Sequence, residues 1–137
     1  MSSDSKLAIG RIGEEAAAEF LAKRGFVVVG RNVHVSHKEI DLIVEDDKNF
    51  VFVEVKARRQ DPRKPSPFGR PVDAVDYKKK KYIYTAAEIY LLEHPTSKMP
   101  RIDVVEVFLS PADTQETPPR VLKINWFKNA FGGEVND

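Results

Sequence analysis

The sequence predicts an α/β domain with its elements in the order α-β-β-β-α-β, a mixed central sheet flanked by helices. Three observations predict it. Near the start, Ile9, Ile12, Ala16 and Phe20 recur at helical spacing. Residues 39–45 and 50–56 are rich in Val, Ile and Phe and flank the polar stretch Asp46-Asp47-Lys48-Asn49, the pattern of an antiparallel hairpin. A second apolar stripe, Ile83, Ala86, Ala87, Tyr90 and Leu91, separates that hairpin from a further strand at 102–108. A three-stranded meander followed by a helical crossover gives a mixed sheet with helices packed on it.

Each element has its own signals. Ser5 or Asp4 can cap the first helix, which runs to about Arg24 and is ended by Gly25. A first strand follows from Phe26 to Val29 and continues through 32–35, with an irregularity expected at Gly30. After the hairpin, Pro62, Pro65, Pro67, Gly69 and Pro71 make residues 57–71 a long basic loop, a length more often functional than merely connecting. The second helix begins near Asp73 or Asp76 and runs to about Glu93, where Pro95 stops it. Beyond the strand at 102–108, residues 110–119 form a proline-rich connection. Residues 121–124 then read as a short edge strand and 126–131 as a terminal helical turn. The chain reads as a single domain over residues 1–137, with its core at about 7–131.

Composition narrows the chemistry. With 42% hydrophobic and 31% charged residues the chain has the balance of an ordinary soluble protein, and 137 residues suffice for a real core. The absence of cysteine excludes disulfides, thiolate catalysis and cysteine-ligated zinc. No apolar run approaches membrane-spanning length, and the first six residues lack the apolar core of a secretory signal, so a cytoplasmic protein is expected. Net charge is only +1, but residues 56–81 hold ten Lys or Arg against Asp61, Asp73 and Asp76. That is a local +7, leaving −6 on the rest, and such a patch can hold a phosphate backbone. A solvated loop followed by an exposed helix face accounts for the same run.

The candidate site lies on the hairpin. Side chains alternate along a strand, so Asp41 shares a face with Ile43, and Glu54 and Lys56 share one with Phe52. A two- or four-residue turn puts Asp41 directly opposite Glu54, and Glu39 opposite Lys56. Opposed carboxylates in a half-buried strand repel and need a compensating cation. Mg²⁺ (or Mn²⁺) suits two carboxylates, and Lys56 could orient or deprotonate a water or neutralise charge on a phosphate. A cross-strand ion-pair ladder on a solvent-facing surface is the competing reading. Glu14 borders the apolar stripe of the first helix and could reach the sheet, or snorkel to water.

The other polar groups divide similarly. Lys78, Lys79, Lys80 and Lys81 open the second helix, where the dipole disfavours positive charge, so phosphate contacts explain them better than helix stability does. Arg58, Arg59, Arg63, Lys64 and Arg70 could wrap a nucleic-acid backbone, with Phe68 available for stacking. His34 and His37 read as surface histidines rather than zinc ligands. Trp126, Phe127 and Phe131 read as a closing element of the core rather than a partner-binding face.

Several motifs in order resemble a known family. Gly10-Arg-Ile-Gly-Glu-Glu-Ala16, Glu39-Ile-Asp-Leu-Ile43, Phe52-Val-Glu-Val-Lys-Ala-Arg58, Phe68-Gly-Arg-Pro-Val-Asp-Ala-Val75 with Lys78, Arg101-Ile-Asp-Val-Val105 and residues 124–131 resemble the YraN-type uncharacterised protein family over about residues 9–131. That family resembles restriction-endonuclease-like proteins of the PD-(D/E)xK type, including archaeal Holliday-junction resolvases. The resemblance implies a restriction-endonuclease-like αβββαβ core and a metal-dependent DNA endonuclease. Glu14, Asp41 and Glu54 are then metal ligands, Lys56 is the lysine of the Glu-x-Lys pair, and Mg²⁺ is the cofactor. DNA is the implied substrate, with branched and single-stranded forms both open, and symmetric cutting of a branched one would favour a homodimer. The alternative is a non-catalytic nucleic-acid-binding protein on the same fold. Two departures stand out: Lys38 occupies the position before Glu39 where the family usually has glycine, and no proline precedes Asp41. Without that glycine the loop before Lys38 is expected to take a different shape.

Overall fold

The computed structural model describes residues 5–64 and 77–130. Helix α1 (Lys6–Ala22) is capped by Ser5, whose side-chain oxygen accepts from the Ala8 N–H at 3.1 Å. It ends two residues before the expected Arg24. The Phe26 N–H reaches Leu21 O and the Gly25 N–H reaches Ala22 O, with Gly25 at φ +93°. That paired arrangement is a Schellman closure, and it needs glycine at the left-handed position. The chain then enters β1 (Val27–Val35), β2 (Lys38–Glu45) and β3 (Asn49–Arg59), crosses over through α2 (Tyr77–Glu93), and returns in β4 (Met99–Leu109). A single 3₁₀ turn (Ala112–Thr114) precedes β5 (Val121–Phe127).

The sheet is mixed and runs β1-β2-β3-β4-β5. Only β3 and β4 are parallel, as the α2 crossover requires; the other neighbours are antiparallel. The expected irregularity near Gly30 is present as a register shift between Val28 and Gly30 in β1. The turn before Lys38 carries its positive φ at Ser36 (+59°).

Alternation along the strands builds two cores, one per face. Leu42, Val44, Val51, Val53, Val105 and Val107 pack beneath α1 with Ala17, Ala18 and Leu21. Ile43, Phe52, Ile102 and Val104 pack beneath α2 with Ile83, Ala86 and Ala87. Phe52, Leu21, Leu42 and Ile43 are fully buried, and each such side chain contributes roughly 1.5–3 kcal/mol relative to exposure. Helix α1 lies close to β3: a Cβ at Gly13 would overlap Ala57. Among the described residues, no helix is long and apolar enough to cross a membrane.

Two expectations are corrected. Residues 126 and 127 do not begin a helical turn, because β5 runs through Phe127 and pairs Trp126 with Val105. The Trp126 ring meets Phe20 and Phe26 edge-on, and its Nε1–H donates to buried Asp103 at 2.9 Å, so a distant partner fixes it in the strand. The basic loop also starts later than residue 57. Residues 57–59 belong to β3, held by parallel pairing to Val107, Phe108 and Leu109.

Candidate functional site

The hairpin register is the expected one, and it positions the site. The turn between β2 and β3 closes through Asp46, whose Oδ1 accepts from the Lys48 and Asn49 N–H groups at 2.9 and 2.7 Å. Pairing then runs from Glu45↔Phe50 to Leu42↔Val53, and the next positions in that register are Asp41 and Glu54. There the regular ladder ends. Beyond it, the Val55 N–H donates to Asp41 Oδ2 at 2.8 Å, so a site carboxylate takes up a backbone donor of β3. The Glu39 N–H is taken by the Tyr82 hydroxyl of α2, also at 2.8 Å. The Glu39 carboxylate accepts from Asn32 Nδ2 at 2.9 Å.

Asp41 and Glu54 form the electrostatic centre. Glu54 is buried, with Lys56 Nζ 3.6 Å and Lys79 Nζ 3.4 Å from the same oxygen, Oε2. Burial, followed by the neighbouring Glu54 charge, pushes the Asp41 carboxyl from 3.8 up to about 7, against the lowering effect of the Val55 N–H. The charge of Glu14 adds to the rise, as does a hydrogen bond between the Asp41 and Glu54 side chains. Half-buried Asp41 thus keeps its proton up to about neutral pH, because a second negative charge beside Glu54 is disfavoured.

Glu14 reaches this region from α1. Its Oε1 accepts from Asn32 Nδ2 at 3.1 Å, so one amide bridges Glu14 and Glu39. Asn32 sits at φ +46°, a conformation asparagine tolerates better than most residues. A groove of about 470 Å³, lined by Lys6, Gly10, Arg11, Glu14, Asn32 and Glu39, opens beside them. Among the described residues, no three His, Asp or Glu side chains gather closely enough to hold a metal by themselves. The structure brings Asp41 and Glu54 together and leaves Glu14 at electrostatic range.

The basic residues separate by role. Lys79 turns to Glu54 and also lies 4.7 Å from the Tyr82 ring centroid. Arg58 Nε lies 3.9 Å from Glu106 on β4. Arg59 donates to the carbonyls of Ser110, Pro111 and Glu116, which ties down the connection before β5. Arg63 is exposed and pairs with Asp61, and Lys64 and Lys81 are exposed, whereas Lys80 is half-buried. Phe68, Arg70, Phe131 and the Lys78 side chain lie outside the described residues. His34 and His37 are exposed. Sequence reasoning missed Asn32, Tyr82 and the specific position of Lys79.

Residues 13–107 match the model of the uncharacterised protein family UPF0102. A UPF0102 protein of Caldicellulosiruptor bescii is 38% identical over 125 residues, covering 90% of this chain and 96% of that protein. One from Dictyoglomus turgidum is 39% identical over 124 residues, with the same coverage. One from Caldanaerobacter subterraneus is 34% identical over 132 residues, covering 96% of this chain and all of the relative.

Proposed function

We propose that this chain, which belongs to the uncharacterised protein family UPF0102, is a metal-dependent DNA endonuclease that hydrolyses phosphodiester bonds beside Asp41 and Glu54. The observation that carries the reading is the geometry: buried Glu54 follows the hairpin register opposite Asp41, with Lys56 and Lys79 3.6 and 3.4 Å from one of its oxygens. Asp41, whose carboxyl is pushed up beside Glu54, holds a proton where a divalent cation would serve the same electrostatic need. The donor set fits Mg²⁺ or Mn²⁺. It is oxygen-only, and Mg²⁺ is commonly held by one or two carboxylates, with waters and substrate phosphate completing its shell. Asp41 and Glu54 would hold the ion, with Glu14 adding negative charge from α1. When bound, the ion supplies Lewis-acid polarisation of a phosphoryl oxygen and acidifies a water.

The remaining roles follow from this chain's own groups. Lys56 sits within 3.6 Å of Glu54 and is the group to orient a water or neutralise charge on the phosphate. Lys79 approaches the same carboxylate oxygen and is a second source of positive charge. Lys80 and Lys81 on α2, with Arg63 and Lys64 beyond β3, supply basic charge for a DNA backbone. A restriction-endonuclease-like relationship is consistent with the mixed sheet and its two helices, and with branched or single-stranded DNA as substrate. Branched DNA cut symmetrically would call for a homodimer.

The test is cleavage of linear, single-stranded and four-way-junction DNA in Mg²⁺ or Mn²⁺ by wild type, Asp41→Asn and Glu54→Gln. Cleavage by wild type alone is expected. Equal behaviour of all three proteins sinks the proposal, and salt-sensitive DNA binding that survives both substitutions without cleavage favours a non-catalytic binding role.

A further inference from the structure

Lys56 and Glu106 are register partners on the parallel strands β3 and β4, and side chains at paired positions project to the same face. Glu54, Lys56 and Arg58 alternate along β3 and so share that face. The polar strip therefore continues past the Asp41–Glu54 pair to Arg58 on β3, Glu106 on β4 and Asn125 on β5, which is paired with Glu106. Arg58 lies one strand repeat beyond Lys56, roughly 6.6 Å along the strand. Glu106 is the unusual member. It is only 1% exposed, accepts from Asn125 Nδ2 at 3.0 Å, and has Arg58 Nε 3.9 Å from its other oxygen. Burial pushes its carboxyl upward, while Asn125 and the charges of Arg58 and Lys123 work the other way. Burying a carboxylate is costly, and the neighbouring core positions on β4, Val104 and Val107, are apolar.

We infer that Arg58, Glu106 and Asn125 form a phosphate subsite next to the Asp41–Glu54 pair, in which Arg58 contacts a DNA phosphate and Glu106 is the positioning residue that aims it. The inference rests on the DNA-binding part of the proposed function and not on cleavage. The planar guanidinium suits a phosphate when its direction is biased, and a buried carboxylate braced by an amide, 3.9 Å from Arg58 Nε, attracts it from one side. Asn125 in turn holds Glu106, so the strip carries orientation from β5 to β3.

The sign of the Glu106 effect separates positioning from simple charge. Removing a carboxylate near a DNA-binding surface should strengthen DNA binding if the group acts only through its charge. If Glu106 aims Arg58, Glu106→Gln weakens binding instead. The experiment is fluorescence-anisotropy binding of a labelled DNA duplex and a four-way junction across a salt series, in EDTA so that no cleavage occurs. Arg58→Ala is expected to weaken binding about tenfold and to reduce the salt slope by about one unit. Glu106→Gln should weaken it severalfold, and Glu106→Asp less. In the Arg58→Ala background, Glu106→Gln should have no further effect. Unchanged or tighter binding by a folded Glu106 variant overturns the inference, as does an undiminished Glu106 effect without Arg58. Should Glu106→Gln fail to fold, Asn125→Ala and Glu106→Asp carry the same comparison. Wild type that binds no DNA overturns it as well. Binding that depends on Arg58 and Glu106 in a protein that never cleaves removes the nuclease reading alone.

Discussion

Lys79 on α2 and Lys56 on β3 bring their ammonium groups to 3.4 and 3.6 Å from the same oxygen of Glu54. A buried carboxylate needs compensation, and here it comes from two elements far apart in sequence. Lys56 is placed by strand alternation and Lys79 by the docking of α2. On the proposed chemistry the two are not equivalent: Lys56 is carried on the same strand as Glu54, whereas Lys79 can leave Glu54 for a substrate phosphate. Lys56→Met should lower single-turnover DNA cleavage about a hundredfold or more, and Lys79→Met about tenfold. Wild-type cleavage by Lys79→Met would reduce Lys79 to a counter-charge for Glu54.

The Asp41 carboxyl gives the metal-free protein a defined pH dependence. It titrates at about 7 in the fold against 3.8 for the free side chain. Between these values the folded state keeps a proton that the unfolded chain has released, so stability falls as pH rises through this window. Below 3.8 both states hold the proton and the penalty is absent; above about 7 it is complete. Glu106, also raised, acts in the same direction. Asp46, Asp61 and Glu116 are held below their usual range by hydrogen bonds, and they oppose this trend only in acid. In EDTA, the melting temperature of wild type should drop between pH 5.5 and 8, and that of Asp41→Asn should drop much less. A wild-type melting temperature that stays level or rises over this range contradicts the assignment.

The same carboxyl predicts a linkage to metal. An ion that binds the folded state stabilises it by mass action, in competition with the Asp41 proton. Millimolar Mg²⁺ or Mn²⁺ should therefore raise the wild-type melting temperature more at pH 8 than at pH 6. Asp41→Asn and Glu54→Gln should lose most of that gain. Equal metal-induced shifts in all three proteins would place the binding elsewhere.

The site was legible in the sequence as far as local rules reach. Alternation put Asp41, Glu54 and Lys56 on one face, and a self-closing turn at Asp46 set the register, so the pair could be read without tertiary information. Beyond Leu42↔Val53 the ladder pairing stops, and the Asn32 contact that takes the Glu39 carboxylate was not visible from the hairpin alone. Four consecutive lysines carry no mark that distinguishes Lys79; the rotation of α2 on the sheet selects it. Asn32 was hidden for a related reason, since a strand irregularity was visible at Gly30 but not the groups it would aim at Glu14 and Glu39. The misread turn at Trp126 has its cause 23 residues earlier, in Asp103.

Gly13 predicts how closely the helix and sheet of the site are coupled. A Cβ there would overlap the Ala57 Cβ on β3, which is bonded directly to the strand backbone and is not the end of a flexible side chain. Gly13→Ala should therefore destabilise the protein by about 1–3 kcal/mol despite the better helix propensity of alanine. Glu14 is the next residue, so displacing α1 moves its carboxylate relative to Asp41. Urea denaturation measures the first effect and the metal response of the melting temperature the second. A stabilised Gly13→Ala variant would mean that α1 shifts freely.

Asp103 predicts the largest loss of stability outside the site. It is fully buried and accepts four hydrogen bonds: from Arg101 Nε and Nη2 at 2.8 and 2.9 Å, Trp126 Nε1 at 2.9 Å and the Asn129 N–H at 2.8 Å. Removing one member of a buried charge pair leaves the other uncompensated, at a cost of about 3 kcal/mol or more. Asp103→Ala should lose that amount in urea denaturation and loosen β5, whose Trp126 depends on the same carboxylate. Trp126→Phe removes a single hydrogen bond and part of an aromatic contact, and should cost less than Asp103→Ala, about 1–2 kcal/mol. The reverse ranking would show that ring packing against Phe20 and Phe26, rather than the Asp103 network, holds the last strand on the sheet.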